Sequence, residues 1–278
     1  MDQKDSVVKQ SISGIAQKNS VSHPPVLYKY YAFNEWTKDI FDKNEVYFQS
    51  PDCFNDPFDS KIAYIFEGPA EQRISRLIEL WQKGPAKGKT KDALYSQAAD
   101  CVESGRDVQE VLRTLGRSVE RSRKRLGIFC MTEEEKNLLM WSHYAESHRG
   151  FCLGFSTSNH FFGPKRAWPI EEKHYRNDRP CINFIDEHYE KKIVEALITK
   201  YERWQYEREW RIVDCEKGPG VQEYPPDALI EVILGSRIFP ENRNKIMNWC
   251  RVRDSRPSIY WAEEMDREFK LKLEPIKY

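Results

Sequence analysis

Apolar and polar positions change their spacing several times along the chain, and each change marks an element. Val26–Tyr31 (VLYKYY) is a short β-type run, and Glu45–Gln49 (EVYFQ) is a second. Between them, Asn34 is positioned to cap a helix running to Asp42, with Trp36, Ile40 and Phe41 near helical spacing. Residues 50–60 (SPDCFNDPFDS) carry turn chemistry, and Asn55, Asp56 and Pro57 predict an Asx-type turn. Helical spacing returns over 71–83 and 92–125, broken by the Gly/Lys/Pro loop 84–91. The block 68–125 thus reads as a helical insert ending in the basic run ERSRKR, a solvated helix end.

Leu126–Met131 (LGIFCM) is a strand. Thr132 and Glu135 form a capping-box pair that would open a helix over 134–148, and Gly150 suits its stop. Phe151–Phe155 is the next strand, Ile185–Arg203 reads as a helix, and Arg208–Asp214 alternates as a strand. Leu229–Leu234, a helix over 241–251 and strands near 257–261 and 268–274 complete the chain. Strands and helices mix without a regular βα repeat, which predicts an α+β fold. The expected organisation is a polar, loose extension over 1–24, followed by a single domain over 25–278.

The 44 basic and 44 acidic residues cancel, so no overall field argues for nucleic acid or membrane; a nucleic-acid partner stays open through local patches. Seven scattered cysteines without a Cys-x-x-Cys pair fit a reducing compartment. No apolar run reaches membrane-spanning length and the first residues lack a signal-peptide core, so the expectation is a cytoplasmic protein with no membrane partner. The 8 Trp, 14 Tyr and 14 Phe are numerous enough to build stacking surfaces as well as a core.

The densest chemistry lies in TKYERWQYEREWRIV, residues 199–213. On a strand, Gln205, Glu207, Glu209 and Arg211 share one face, and Trp204, Tyr206, Arg208, Trp210 and Ile212 the other. Adjacent carboxylates repel, which raises the pKa of one unless a cation intervenes, and Arg211 would supply that cation. The plain alternative is a solvated strand face laced with ion pairs. In the functional alternative, one carboxylate holds a ribose hydroxyl and stabilises an oxocarbenium-like transition state, while its neighbour takes a proton. In FNDPFD, Asn55 and Asp56 are candidate cleft-wall groups; the motif lacks a calcium-loop pattern, and no metal is expected. In MWSHYAESHRG, His143 and Tyr144 either line a cleft opposite Trp141 or belong to a buried helix. Cys130 reads as a buried thiol rather than as the nucleophile of a pair with His143.

The order LYKY at 27–30, FNDPFD at 54–59, Phe-Cys-x-Thr at 129–132, MWSHYAESHRGFCLGF at 140–155, K-x-x-x-W-x-Y-E-x-E-W-R at 200–211 and IEVILGSRI at 230–238 resembles a bacterial family of unknown function, DUF2971. A second similarity is to ADP-ribosyltransferases, in the order of a Tyr-rich first strand, a long insert, a central strand–helix and a late Glu-x-Glu. That resemblance implies a mixed or antiparallel split sheet with flanking helices, NAD as substrate and a macromolecular acceptor, in a toxin or phage-defence setting. It implies that Lys29, with Tyr28 or Tyr30, holds NAD, where that group usually carries Arg or His. Thr132, Tyr144 or Ser156 would face the nicotinamide ribose, Glu209 would be the late glutamate, and Glu207 would help the acceptor. With Asn55, Asp56, Trp141, His143 and Arg211, these residues make up the candidate site. Two other readings stay open: a non-catalytic ligand-sensing module, and a metal-dependent nuclease using Asp56, Asp59 and the glutamates.

Overall fold

The computed structural model describes residues 22–186 and 189–277. Most of the predicted extension therefore lies outside the described residues. In chain order the elements are β1 (Val26–Tyr31), α1 (Thr37–Asp42), β2 (Glu45–Phe48), β3 (Ala63–Ile65), α2 (Ala70–Gln82), α3 (Lys91–Glu103), α4 (Arg106–Val111) and α5 (Arg117–Lys124). Next come β4 (Gly127–Thr132), α6 (Leu138–Tyr144), β5 (Phe151–Ser156), β6 (Ala167–Pro169), β7 (Tyr175–Arg176), β8 (Cys181–Asn183), α7 (Glu190–Leu197) and β9 (Lys200–Tyr201). The last are β10 (Glu209–Asp214), β11 (Gly220–Glu223), β12 (Leu229–Leu234), α8 (Pro240–Val252), β13 (Ser258–Glu264) and β14 (Leu271–Ile276).

The fold is α+β. One eight-stranded mixed sheet has the order β14-β13-β12-β5-β1-β4-β10-β6, antiparallel except for β12 and β13. Helices cover both faces, so β4, β5 and β12 read as nearly continuous apolar runs, and β10 is nearly continuously buried although it carries Glu209 and Arg211. The helices between β3 and β4 pack on one face through Leu77, Leu115, Ile128 and Val213. The opposite face buries Leu27, Phe129, Trp210 and Ile212. A smaller cluster gathers Tyr30, Met140 and Trp141.

The pairing between β1 and β4 is short. β1 pairs with β5 from end to end, and β4 pairs likewise with β10. Between β1 and β4, however, the register holds at one position only, Tyr28 opposite Thr132. Beyond it the strands part, and Gln49 bridges to Ile128 instead, through paired backbone bonds of 2.8 Å.

Four sequence expectations need correction. Asn34 does not cap a helix directly. Its Oδ1 accepts from Trp36 N and Thr37 Oγ1, an Asx turn that leads into α1. The capping box at Thr132 does not form; Asn137 caps α6 by accepting from Leu139 N and Met140 N. That helix stops at Tyr144 because Glu146, Ser147 and His148 turn left-handed. The helix expected over 185–203 shrinks to α7, since Lys200 and Tyr201 are drawn into a parallel pairing with β7. Finally, residues 202–207 form a 3-10 turn, so Trp204 to Glu207 do not extend the strand as the face alternation supposed, and Arg208 reverses the chain at φ 40° before β10 begins.

Candidate functional site

The parting of β1 and β4 opens a cleft of about 370 Å³, within the usual range of small-molecule sites. Tyr28, Lys29 and Tyr30 border it from β1; Cys130 and Thr132 border it from β4. Its floor is a buried charge cluster. Glu207 ends the 3-10 turn and Glu209 starts β10, and each is 3% exposed. The solvated-face reading is therefore wrong. Nor does strand alternation unite the two carboxylates. The left-handed turn at Arg208 brings Glu207 back over the strand, and both acids bond the same ammonium, Lys200 Nζ, which lies 2.6 Å from Glu209 Oε2.

Arg211 is the expected cation, but for Glu209 alone. Its Nε lies 2.6 Å from Glu209 Oε1, and its Nη2 lies 2.6 Å from Asp59 Oδ2 and 3.0 Å from Glu209 Oε2. Asp59 Oδ2 also stands 3.9 Å from Lys200 Nζ. Three carboxylates thus surround two cations. Glu207 is completed by Tyr144, whose hydroxyl donates to Oε1 at 2.6 Å and accepts from Asn55 Nδ2 at 3.2 Å.

Burial and cation placement split the two glutamates. Burial pushes the Glu207 carboxyl up, against the pull of Lys200 and with help from Glu209. Burial presses Glu209 the same way, but Arg211 and Lys200 outweigh it and hold the carboxyl well below its usual range. Burial would lower Lys200; Glu209, Glu207 and Asp59 reverse that and keep it firmly protonated. Burial, then Glu207, raises the Tyr144 phenol. Two neighbouring carboxyls driven in opposite directions is the arrangement that divides acid–base work from fixed charge.

The other candidates distribute as follows. Thr132 lines the cleft and donates to Glu207 O at 2.5 Å, whereas Ser156 bonds Ser158 away from it. Of the two hydroxyl candidates Thr132 and Ser156, Thr132 is the one that lines the cleft. The hydroxyls of Tyr28 and Tyr30 are taken by Glu231 and by Glu134 O. Lys29 borders the cleft, but its ammonium sits 4.9 Å over the Phe129 ring, on the sheet face opposite Glu209 and Arg211. Trp141 is wholly buried against Tyr30, with Nε1 donating to Glu135 O, so it is core and not a cleft wall. His143 is exposed and edge-on to Trp204, outside the cleft lining. Arg211 is fully buried behind Glu209, outside the cleft lining.

Asp56 forms the expected Asx turn with Phe58 N and accepts from Trp204 Nε1, away from the cluster. The nuclease reading placed Asp56 with Asp59 and the glutamates, but Asp56 is turned aside. The point where Asp59, Glu207 and Glu209 meet is held by Lys200 Nζ. Among the described residues, no cluster of His, Cys, Asp and Glu is arranged to hold a metal. Burial raises the Cys130 thiol, which disfavours a nucleophilic thiolate. Lys200 is the residue that sequence reasoning missed. Its signal was the leading lysine of the 200–211 motif, seven residues before Glu207 and nine before Glu209.

Residues 140–212 match the family model described as a protein of unknown function, DUF2971. The family resemblance therefore holds over a segment that contains Tyr144, Lys200, Glu207, Glu209 and Arg211. No curated protein and no solved structure matches the chain.

Proposed function

We propose that this DUF2971 family protein breaks the nicotinamide–ribose bond of NAD in the cytoplasm, transferring ADP-ribose to a macromolecule or to water, as a toxin or in phage defence. The observation that carries the reading is the opposed pair at the sheet split: Glu209 locked as a carboxylate by Arg211 and Lys200, and Glu207 poised beside Tyr144. In this reading the nicotinamide ribose enters between β1 and β4. The C1′–N bond breaks, and its electron pair leaves on the nicotinamide ring, which becomes neutral. The fixed charge of Glu209 stabilises the oxocarbenium-like ribose. A hydroxyl or water adds at C1′, and its proton passes to Glu207, whose raised affinity suits it to receive one.

A sensing module is the second reading. It is favoured by the saturation of the cluster, in which both oxygens of each glutamate already accept a bond. Nicotinamide release from NAD, measured beside Glu207→Gln, separates the two. Transfer chemistry predicts release by the wild type and a drop of roughly a hundredfold or more in the variant, with NAD binding retained. Binding without release would favour sensing, and neither release nor a calorimetric binding signal would end the NAD reading.

A further inference from the structure

Beyond the Asn55 wall lies a second groove of about 560 Å³, which shares Asn55 and Lys200 with the first cleft. Its surface differs in kind. Phe58 is 63% exposed and Tyr201 46% exposed, although large aromatics are ordinarily withdrawn from water. The turn that carries Phe58 is held rigid by Asp56, which accepts from Phe58 N at 2.8 Å and from Trp204 Nε1 at 2.8 Å. The ring is thus presented to solvent by construction. Lys61 and Arg179 line the same groove. Among the described residues, neither has a carboxylate within 4.0 Å. Arg179 Cζ instead lies 5.7 Å from the Phe58 ring centroid. Asp178, the other acid on this wall, stays exposed beside Arg176 at 3.8 Å and reaches neither cation.

We infer that this groove binds a single-stranded nucleic acid, with bases stacked on Phe58 and Tyr201 and phosphates on Lys61 and Arg179. Cations without a carboxylate partner, set among exposed aromatic rings, answer to a chain that carries both a π-face and a negative charge at every unit, which would displace Arg179 from the Phe58 ring. An acidic peptide would satisfy the cations but leave the rings unstacked, and a duplex would keep its bases paired away from them. The inference deepens the proposed function by giving the acceptor its chemistry, since the groove adjoins the cleft where the ribose would react. Its binding test does not depend on that reading.

The test is fluorescence anisotropy with labelled oligothymidylate and oligouridylate of about twelve nucleotides, the matching duplex, and polyglutamate as competitor. The expected result is single-strand binding that weakens as salt rises. Phe58→Ala with Tyr201→Ala should weaken it about tenfold or more. Lys61→Glu with Arg179→Glu should weaken it similarly and reduce the salt slope by about two. All four residues line the groove, and circular dichroism checks that each variant folds. Comparison of the two oligomers reads DNA against RNA. The inference is overturned by no binding at low salt, by equal affinity for the duplex, by affinity unchanged in both variants, or by displacement as efficient with polyglutamate as with unlabelled strand. Nicotinamide release is scored separately, so a protein that binds strands without cleaving NAD would retain this inference and lose the enzymatic one.

Discussion

Glu207 and Glu209 stand two residues apart and answer to opposite forces. The difference is which cations reach them: Glu209 has Arg211 and Lys200, and Glu207 has Lys200 and a neutral phenol. It gives a pH signature with a definite sign. The Glu207 pKa is raised on folding, so its contribution to stability is fully present below the ordinary glutamate range and is lost as pH rises through the folded value. On acidification the folded wild type therefore gains a proton at Glu207 before the unfolded chain does. Glutamine cannot. Glu207→Gln is expected to lose stability more steeply than wild type as pH falls toward the ordinary glutamate range, as followed by urea unfolding at several pH values. Parallel slopes would mean that Glu207 is not perturbed. The sequence named Arg211 as a cation for the pair, but left the pair itself between a solvated face and a cleft site. The role of Lys200 was not legible, because no helix or strand period links it to the glutamates; only the reversal at Arg208 brings them together.

Elements were legible where burial imposes a period and illegible where a tertiary partner cuts the period short. β1, β4, β5, β10 and β12 fall within a residue or so of expectation, since each carries apolar or aromatic residues at the spacing of a strand. α6 was overextended because the apolar spacing through Ala145 continues beyond the point where the backbone does. Its end is fixed by Gly150, whose N–H donates to Ala145 O at 2.8 Å. A Cβ built at Gly150 would lie 2.0 Å from Tyr31 O, a backbone atom that cannot swing aside. Gly150→Ala is accordingly expected to cost about 1–3 kcal/mol, read as a lowered midpoint of thermal or urea unfolding. Ser147→Ala, an exposed change on the same turn, should stay within about 0.5 kcal/mol. Equal effects from the two would show that the approach to Tyr31 is not what ends the helix. The helix expected over 185–203 failed for a related reason. Its intrinsic spacing is helical, but Lys200 has three buried carboxylates to satisfy, and a helix continuing past Leu197 would carry it elsewhere.

At the scale of the whole molecule, the helices over 70–124 do not stand apart from the sheet. Ile74, Leu77 and Leu115 belong to the same apolar cluster as Ile128 of β4 and Val213 of β10. The expected outcome is one cooperative transition, with coincident urea curves from tryptophan fluorescence and far-ultraviolet circular dichroism. Two separated transitions would mark the helices as an independently folding unit. No helix among the described residues is long and apolar enough to cross a membrane. The α+β class and the helical character of 70–124 could be read from the chain, because both follow from local spacing. The opening between β1 and β4 was not legible in the residues, because hydrogen-bond register across a sheet leaves no trace in either strand alone. That opening has a mechanical consequence. Six rungs fasten β1 to β5 and six fasten β4 to β10, but a single rung at Tyr28 and Thr132 joins the two halves directly. The sheet therefore behaves as two stiff plates sharing one rivet. The seam between the plates runs beside the line where Tyr144, Glu207 and Lys200 are gathered, so a shift of one plate against the other would be felt first by those tethered charges.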